Sequence, residues 1–373
     1  MKRVVVLSLV LAICVSVPAH GGSSVSVMDV NSPWFGLIRE YANPFDPDLN
    51  RTVTTSETKI TVSSGWSEGI MLSNLVRRAD GTSVSAAGGR AQGPPGADGV
   101  EALPGIASVT FQSLQAPFQV GTIITHQRVA DQFTAPMPYS IQLGTGGDMC
   151  DWSTVPTSMT GAGAMPKGMS TFEIQTLSSV VTCDSFRLNI DTAYNPNDRR
   201  YQGDFNEVLL LPDRLEYIPN TEIKVTANDT ITTNQPGALL DMRGQDSWGS
   251  RPGGTLTFEF LGLAAGETRQ VDSIVLWSMN DGNCAIFTIK DGNGNVIADV
   301  NITNDSIGWV LPIQFDRSIH TDKIIFEFAS SGLPGDRHNL REVMFFTNLD
   351  RIPEPATMSL LALGGLALLR RRR

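Results

Sequence analysis

Three groups of residues in this 373-residue chain have the types and spacing for chemistry. Gly65-Trp66-Ser67-Glu68-Gly69 fits G-x-S-x-G, the strand-to-helix elbow that exposes a nucleophilic serine. That elbow needs a strand before it, a helix after it, a parallel sheet, and an acid and a histidine downstream. Thr58 to Val62 reads as a strand and Ile70 to Arg78 as a brief helix, but no alternation of strands and helices follows. His126, His320 and His338 stand in no triad context, and His20 lies at the edge of the N-terminal apolar stretch. A turn is the better reading of Ser67, and a hydrolase the least favoured function.

Asp291-Gly292-Asn293-Gly294-Asn295 sets oxygen-bearing side chains at alternate positions, as calcium loops do. An EF-hand would need glycine where Val296 stands and glutamate where Ile302 stands. The favoured reading of Asp291, Asn293 and Asn295 is a β-turn between two strands, with structural calcium as the alternative. Apart from that calcium, nothing in the sequence asks for a cofactor. Four tryptophans, Trp66, Trp152, Trp248 and Trp309, fall in predicted loops or strand ends, where an indole would stack on a sugar ring. Asp241, Arg243 and Trp248 are the candidates for saccharide contact in the second half, and Trp66 with Arg77 in the first. A single tryptophan is more often core than platform, and Trp277, alternating with Val271, Ser273 and Val275, reads as packed. Of four cysteines, Cys14 falls in the N-terminal apolar stretch; a Cys150–Cys183 disulfide is open, and Cys284 then reads as a buried thiol.

The elements that would position these groups are strands. Short alternating runs, among them Thr58–Val62, Ser108–Phe111, Phe186–Ile190, Thr255–Phe260, Ile274–Trp277, Ala285–Ile289 and Ile324–Phe328, are separated by Gly, Pro, Asn and Asp. Five of the runs recur in the same order. Glu57–Val62 parallels Thr221–Thr226, Ser108–Phe111 parallels Gly254–Phe258, and Val120–Ile124 parallels Val271–Leu276. Thr182–Leu188 then parallels His320–Phe326, and Phe205–Leu210 parallels Leu340–Phe345. The pattern predicts an all-β chain built by tandem duplication, with its boundary near Pro212 to Pro219.

Both ends differ from this body. Lys2 and Arg3 precede an apolar stretch and Val17-Pro18-Ala19, the layout of a cleaved secretory signal spanning 1–19 and a substrate for signal peptidase. At the other end Pro353-Glu354-Pro355 leads into the apolar run Ala356–Leu369 and then Arg370, Arg371, Arg372 and Arg373. Fourteen helical residues rise about 21 Å, short of a ~30 Å hydrocarbon core, so the run suits a temporary membrane segment better than a lasting one. The arginines would stay on the cytoplasmic side, leaving the body outside.

Those three features in that order resemble a PEP-CTERM sorting signal. The resemblance implies recognition by an exosortase, cleavage near Pro353-Glu354-Pro355, release to the cell surface or extracellular matrix, and the company of exopolysaccharide. The order of strands in the body resembles galactose-binding-like (discoidin-type) jelly rolls, with Leu256–Phe260, Ile274–Leu276 and the closing strands Glu342–Phe346 and Glu207–Leu211 carrying the likeness. The first copy departs from it by a Gly/Pro-rich insertion, 88–105.

The expected organisation is therefore a signal peptide (1–19) and two tandem jelly-roll-like β-sandwiches (31–217 and 219–349). A short transmembrane sorting segment (352–373) completes it. The formal charge of −10 loses two positive charges with Lys2 and Arg3 and a net three more with the tail, leaving a body near −15. So acidic a surface argues against nucleic acid as a partner. The sequence thus points to an exported, non-enzymatic protein. Its alternatives are binding of extracellular polysaccharide and a purely structural matrix role.

Overall fold

In this computed structural model the described residues are 26–27, 52–54, 58–62, 89–92, 105–114, 117–128, 139–146, 153–154, 170–191, 193–195, 200–230, 235–242, 248–277, 285–302, 310–330 and 338–351. They are strands joined by turns and three short 3-10 turns, and every strand pairing among them is antiparallel. The β-branched and aromatic residues that favour a pleated surface fill these strands, and Gly, Pro, Asn and Asp punctuate them.

Seven strands build the first sandwich: β1 (Thr58–Val62), β2 (Ile106–Ser113), β3 (Phe118–Arg128), β4 (Tyr139–Gly144), β5 (Ser170–Cys183), β6 (Ser185–Asp191) and β7 (Arg200–Leu211). One sheet runs β1-β2-β6-β4 and the other β7-β3-β5, with short strands at their edges. A linking strand, β8 (Leu215–Tyr217), follows. The second sandwich has β9 (Ile223–Ala227), β10 (Thr255–Phe260), β11 (Arg269–Trp277), β12 (Ala285–Asp291), β13 (Val296–Ile302), β14 (Val310–Thr321), β15 (Lys323–Phe328) and β16 (Glu342–Asn348). Its sheets run β9-β10-β15-β12-β13 and β14-β11-β16-β8.

The two orders superimpose: β1-β2-β6-β4 corresponds to β9-β10-β15-β12, and β7-β3-β5 to β16-β11-β14. All five paired segments of the sequence fall on corresponding strands. The correspondence extends to a defect. Where β3 advances from Val120 to Thr122, its partner β5 moves from Val181 to Thr176. Where β11 advances from Val271 to Ser273, β14 moves from Ile319 to Gln314. Each sandwich thus carries a bulge at this same place, its extra residues on β5 and β14 lying opposite Gly121 and Asp272.

Burial explains why the runs beside these bulges are continuously apolar rather than alternating. Ile274 and Leu276 enter the core between the sheets of the second sandwich, with Phe258, Phe287, Phe315, Phe326 and Phe345. Val275 and Trp277, on the opposite face of β11, are buried as well. That outer face meets the first sandwich: the Trp277 ring lies edge-on to His126 of β3 at 4.6 Å and to Phe172 of β5 at 5.2 Å. A sheet covered on both faces has no solvent side to mark with polar residues. The same holds for Val208–Leu211, all buried.

Within the first sandwich, the buried Tyr139 hydroxyl on β4 joins the sheets. It donates to Glu173 Oε2 at 2.5 Å and accepts from Thr125 at 2.5 Å. Burial, and then the neighbouring Glu173 charge, push this phenol well above its usual range, so it keeps its proton.

Candidate functional site

Among the described residues, a hydrogen-bonded cluster lies where the sandwiches join and extends to the end of the last strand of the second one. After β7 the chain crosses at Pro212-Asp213-Arg214. Gly121 makes this crossing possible: a Cβ there would stand 2.5 Å from the Asp213 carbonyl carbon. Thr122, next in β3, donates through Oγ1 to Asp213 O at 2.8 Å and accepts from Leu215 N at 2.8 Å. Arg214 Nε then donates to Leu177 O in the β5 bulge at 3.1 Å. Leu211, Pro212, Leu215, Ser273 and Val275 close on a cavity of only about 10 Å³, so this crossing is filled.

The corresponding place in the second sandwich holds a carboxylate. Asp272 is fully buried and accepts at Oδ2 from Gln270 Nε2 (2.8 Å) and from the backbone N–H of Asn348 (2.7 Å). At Oδ1 it accepts from Ser318 Oγ (2.6 Å), with Arg351 Nη1 at 3.5 Å. A buried carboxylate is tolerable when its lone pairs are satisfied in this way. Arg351 also donates to Phe315 O at 2.7 Å, and Phe315 occupies in β14 the place that Leu177 occupies in β5. The 3-10 turn Leu349–Arg351 is further held by Leu349 N to Arg214 O (2.8 Å), Asp350 N to Asn348 Oδ1 (2.9 Å) and an Arg214–Asp350 ion pair at 3.0 Å. Burial pushes the Asp213 carboxyl up. Arg351 opposes that shift, while Asp350 and Asp272 reinforce it.

Beside this cluster, Ile174, Thr176, Glu216, Tyr217, Met242 and Leu349 line a cleft of about 480 Å³ between the sandwiches. Its walls are fixed by backbone and side-chain bonds. Tyr217 donates to Asn220, whose amide donates to Leu240 O, and Phe172 N donates to Met242 O at 2.9 Å. Met242 takes a left-handed backbone, φ 59°, a strained conformation for a side chain of this kind.

Only some of the residues singled out from sequence are among the described ones. Trp248 is fully buried, its ring 5.6 Å from Phe328 and its Nε1 donating to Thr230 at 3.1 Å. It stands at a strand end, as expected, opening the short strand Trp248–Ser250, but it is turned inward and offers no face to a sugar, which corrects its expected role as a platform. Asp241 sits half-buried at the end of the 3-10 turn Pro236–Leu240. Trp66, Arg77 and Arg243 lie outside the described residues, as do Ser67, the expected helix Ile70–Arg78, Trp152, Trp309, Cys150, Cys284, the signal peptide and the sorting segment. Cys183 is buried at the end of β5, opposite Phe118.

Asp291, Asn293 and Asn295 form the β12–β13 hairpin turn. Asp291 Oδ1 accepts from the N–H groups of Asn293 (2.9 Å) and Asn295 (2.8 Å), and its Oδ2 accepts from the Asn295 amide (2.8 Å). Gly294 supplies the positive φ of 83° that the turn needs. The carboxylate is thus spent on its own turn, as in Asx turns. Among the described residues no cluster of three or more His, Cys, Asp or Glu side chains is arranged to hold a metal, and no helix is long and apolar enough to cross a membrane.

Asp272 was missed by sequence reasoning. Its signal, a lone charge inside the apolar run Val271–Trp277, was present but read as ordinary alternation.

No curated protein matches the chain in sequence. Solved structures similar to it include the CBM32-1 and CBM32-2 domains of Clostridium perfringens ZmpB in complex with GalNAc, 11% identical over 79% of this chain and 91% of that one, TM-score 0.29. They also include the family 32 carbohydrate-binding module of C. perfringens NanJ in complex with galactose, at 17% identity over 36% and 99%, TM-score 0.31. A fucolectin from striped bass (Morone saxatilis) serum is 11% identical over 66% and 83%, TM-score 0.27. At such scores the architecture stands on the strand order of the chain itself. Residues 351–373 match the PEP-CTERM protein-sorting motif, so the chain carries the signal of an exported protein that an exosortase processes.

Proposed function

We propose that this chain is a non-enzymatic protein of the cell surface or extracellular matrix, sorted by an exosortase, whose tandem sandwiches associate with extracellular polysaccharide. The sorting motif at 351–373 is the observation that carries this reading. Two properties of the body support it. The described sheets are entirely antiparallel and give a nucleophile elbow at Ser67 none of the parallel scaffold it requires. The walls of the cleft between the sandwiches combine an aromatic ring, apolar side chains and the exposed Glu216 carboxylate, a composition that suits a neutral saccharide better than an anion.

The test is polysaccharide co-sedimentation and a glycan array with the released protein. Retention by one or more neutral polysaccharides is expected, and retention by none would refute this part of the reading. One observation favours a second reading, a structural matrix component without a small ligand: the best tryptophan candidate, Trp248, is core. Under that reading the protein is released to the surface just as before but binds nothing on the array.

A further inference from the structure

We infer that Asp272 and Arg351 form a clamp that positions the sorting motif against the folded body and limits the rate at which it is processed; the inference rests on the exosortase reading above. Arg351 is both the first residue of the sorting motif and a folded residue. It donates to Phe315 O at 2.7 Å and lies 3.5 Å from the buried Asp272 carboxylate, which also holds the N–H of Asn348. The turn between them is fastened to the inter-sandwich link through Leu349 N, Arg214 O and the Arg214–Asp350 pair.

From this fixed point only two residues lead to Pro353, a reach of roughly 7 Å when fully extended, and five lead to Ala356, at most about 18 Å. An enzyme that cuts near Pro353-Glu354-Pro355 must hold extended chain on both sides of the scissile bond. The chain up to Arg351 is taken up by the clamp, so the Leu349–Arg351 turn must open first. The first sandwich repeats the arginine's part of this clamp, with Gly121 where Asp272 stands. Arg214 grips Leu177 O as Arg351 grips Phe315 O, but there the chain continues into the next domain. The bond broken in processing is a peptide bond, and its acyl acceptor is supplied by the exosortase; Asp272 and Arg351 act as positioning residues only.

The experiment is a pulse–chase of the full chain in cells with its exosortase, measuring the fraction that has lost the tail. Asp272→Asn keeps the shape, lies outside the motif and removes the charge that strengthens these hydrogen bonds, and should speed processing about tenfold. Inserting Gly-Ser-Gly-Ser after Arg351 keeps every clamp residue and lengthens the tether, and should speed it similarly. Tyr139→Phe loosens the first sandwich without touching the exit and should leave the rate unchanged. Equal rates in the wild type, Asp272→Asn and the insertion variant would overturn the clamp, as would acceleration by Tyr139→Phe. A wild-type chain that never loses its tail would instead overturn the sorting reading.

Discussion

The two sandwiches solve the same local problem with opposite residues. At corresponding bulges the first has Gly121 and the second Asp272. Gly121 yields its side-chain space to the backbone of Asp213, so the chain can pass close over β3 into the next domain. Asp272 fills that space with a carboxylate and grips the chain by the N–H of Asn348 and the guanidinium of Arg351. Both copies keep an arginine on the bulge carbonyl, Arg214 on Leu177 and Arg351 on Phe315. Duplicated folds can therefore diverge at one buried position and assign one exit to a domain junction and the other to a sorting tail.

The comparison can be broken most severely at the shared face. Trp277→Ala removes the ring that meets His126 and Phe172 and should cost about 3–5 kcal/mol. Calorimetry should then resolve two transitions in the variant and a single coupled one in the wild type. Next is Gly121→Ala, whose methyl would collide with backbone rather than with a movable side chain. It should cost about 3 kcal/mol, read as a lower denaturation midpoint. Placing alanine at the corresponding carboxylate, Asp272→Ala, orphans the Asn348 N–H and the hydroxyl of Ser318. A loss of about 2 kcal/mol is expected in the same assay.

The smallest effect has the opposite sign. Asp213 has its folded pKa raised by burial, so between the unfolded and folded values the native state binds the extra proton and stability falls as pH rises. Asp213→Asn should therefore raise the melting temperature slightly at neutral pH. The gain should disappear once the pH drops below the ordinary aspartate range, where both states are protonated.

Much of this architecture can be read from the residues alone. Thr58–Val62 and Thr255–Phe260 are strands from end to end, and the five recurring segments lie on corresponding strands because alternation and turn residues are local signals. The long strands Ser170–Cys183 and Val310–Thr321 are less legible. Polar residues and Pro312 interrupt their pattern, and each shifts register at its bulge. The candidate site is less legible still. Trp248 looks like a loop residue because Gly249 follows it, yet tertiary packing against Phe328 claims its ring. Asp272 takes its meaning from Ser318, Asn348 and Arg351, residues 46 to 79 positions away, and no local pattern announces partners at that separation. The sorting motif stands out for the opposite reason: its Pro-Glu-Pro, apolar run and arginines are contiguous.

The most direct test of the sorting account is the intact mass of the protein recovered from the surface or medium of exosortase-bearing cells. The account predicts a species ending at or beside Pro353-Glu354-Pro355 and lacking Arg370 to Arg373. Recovery of released protein that still carries the apolar run and all four arginines would contradict it.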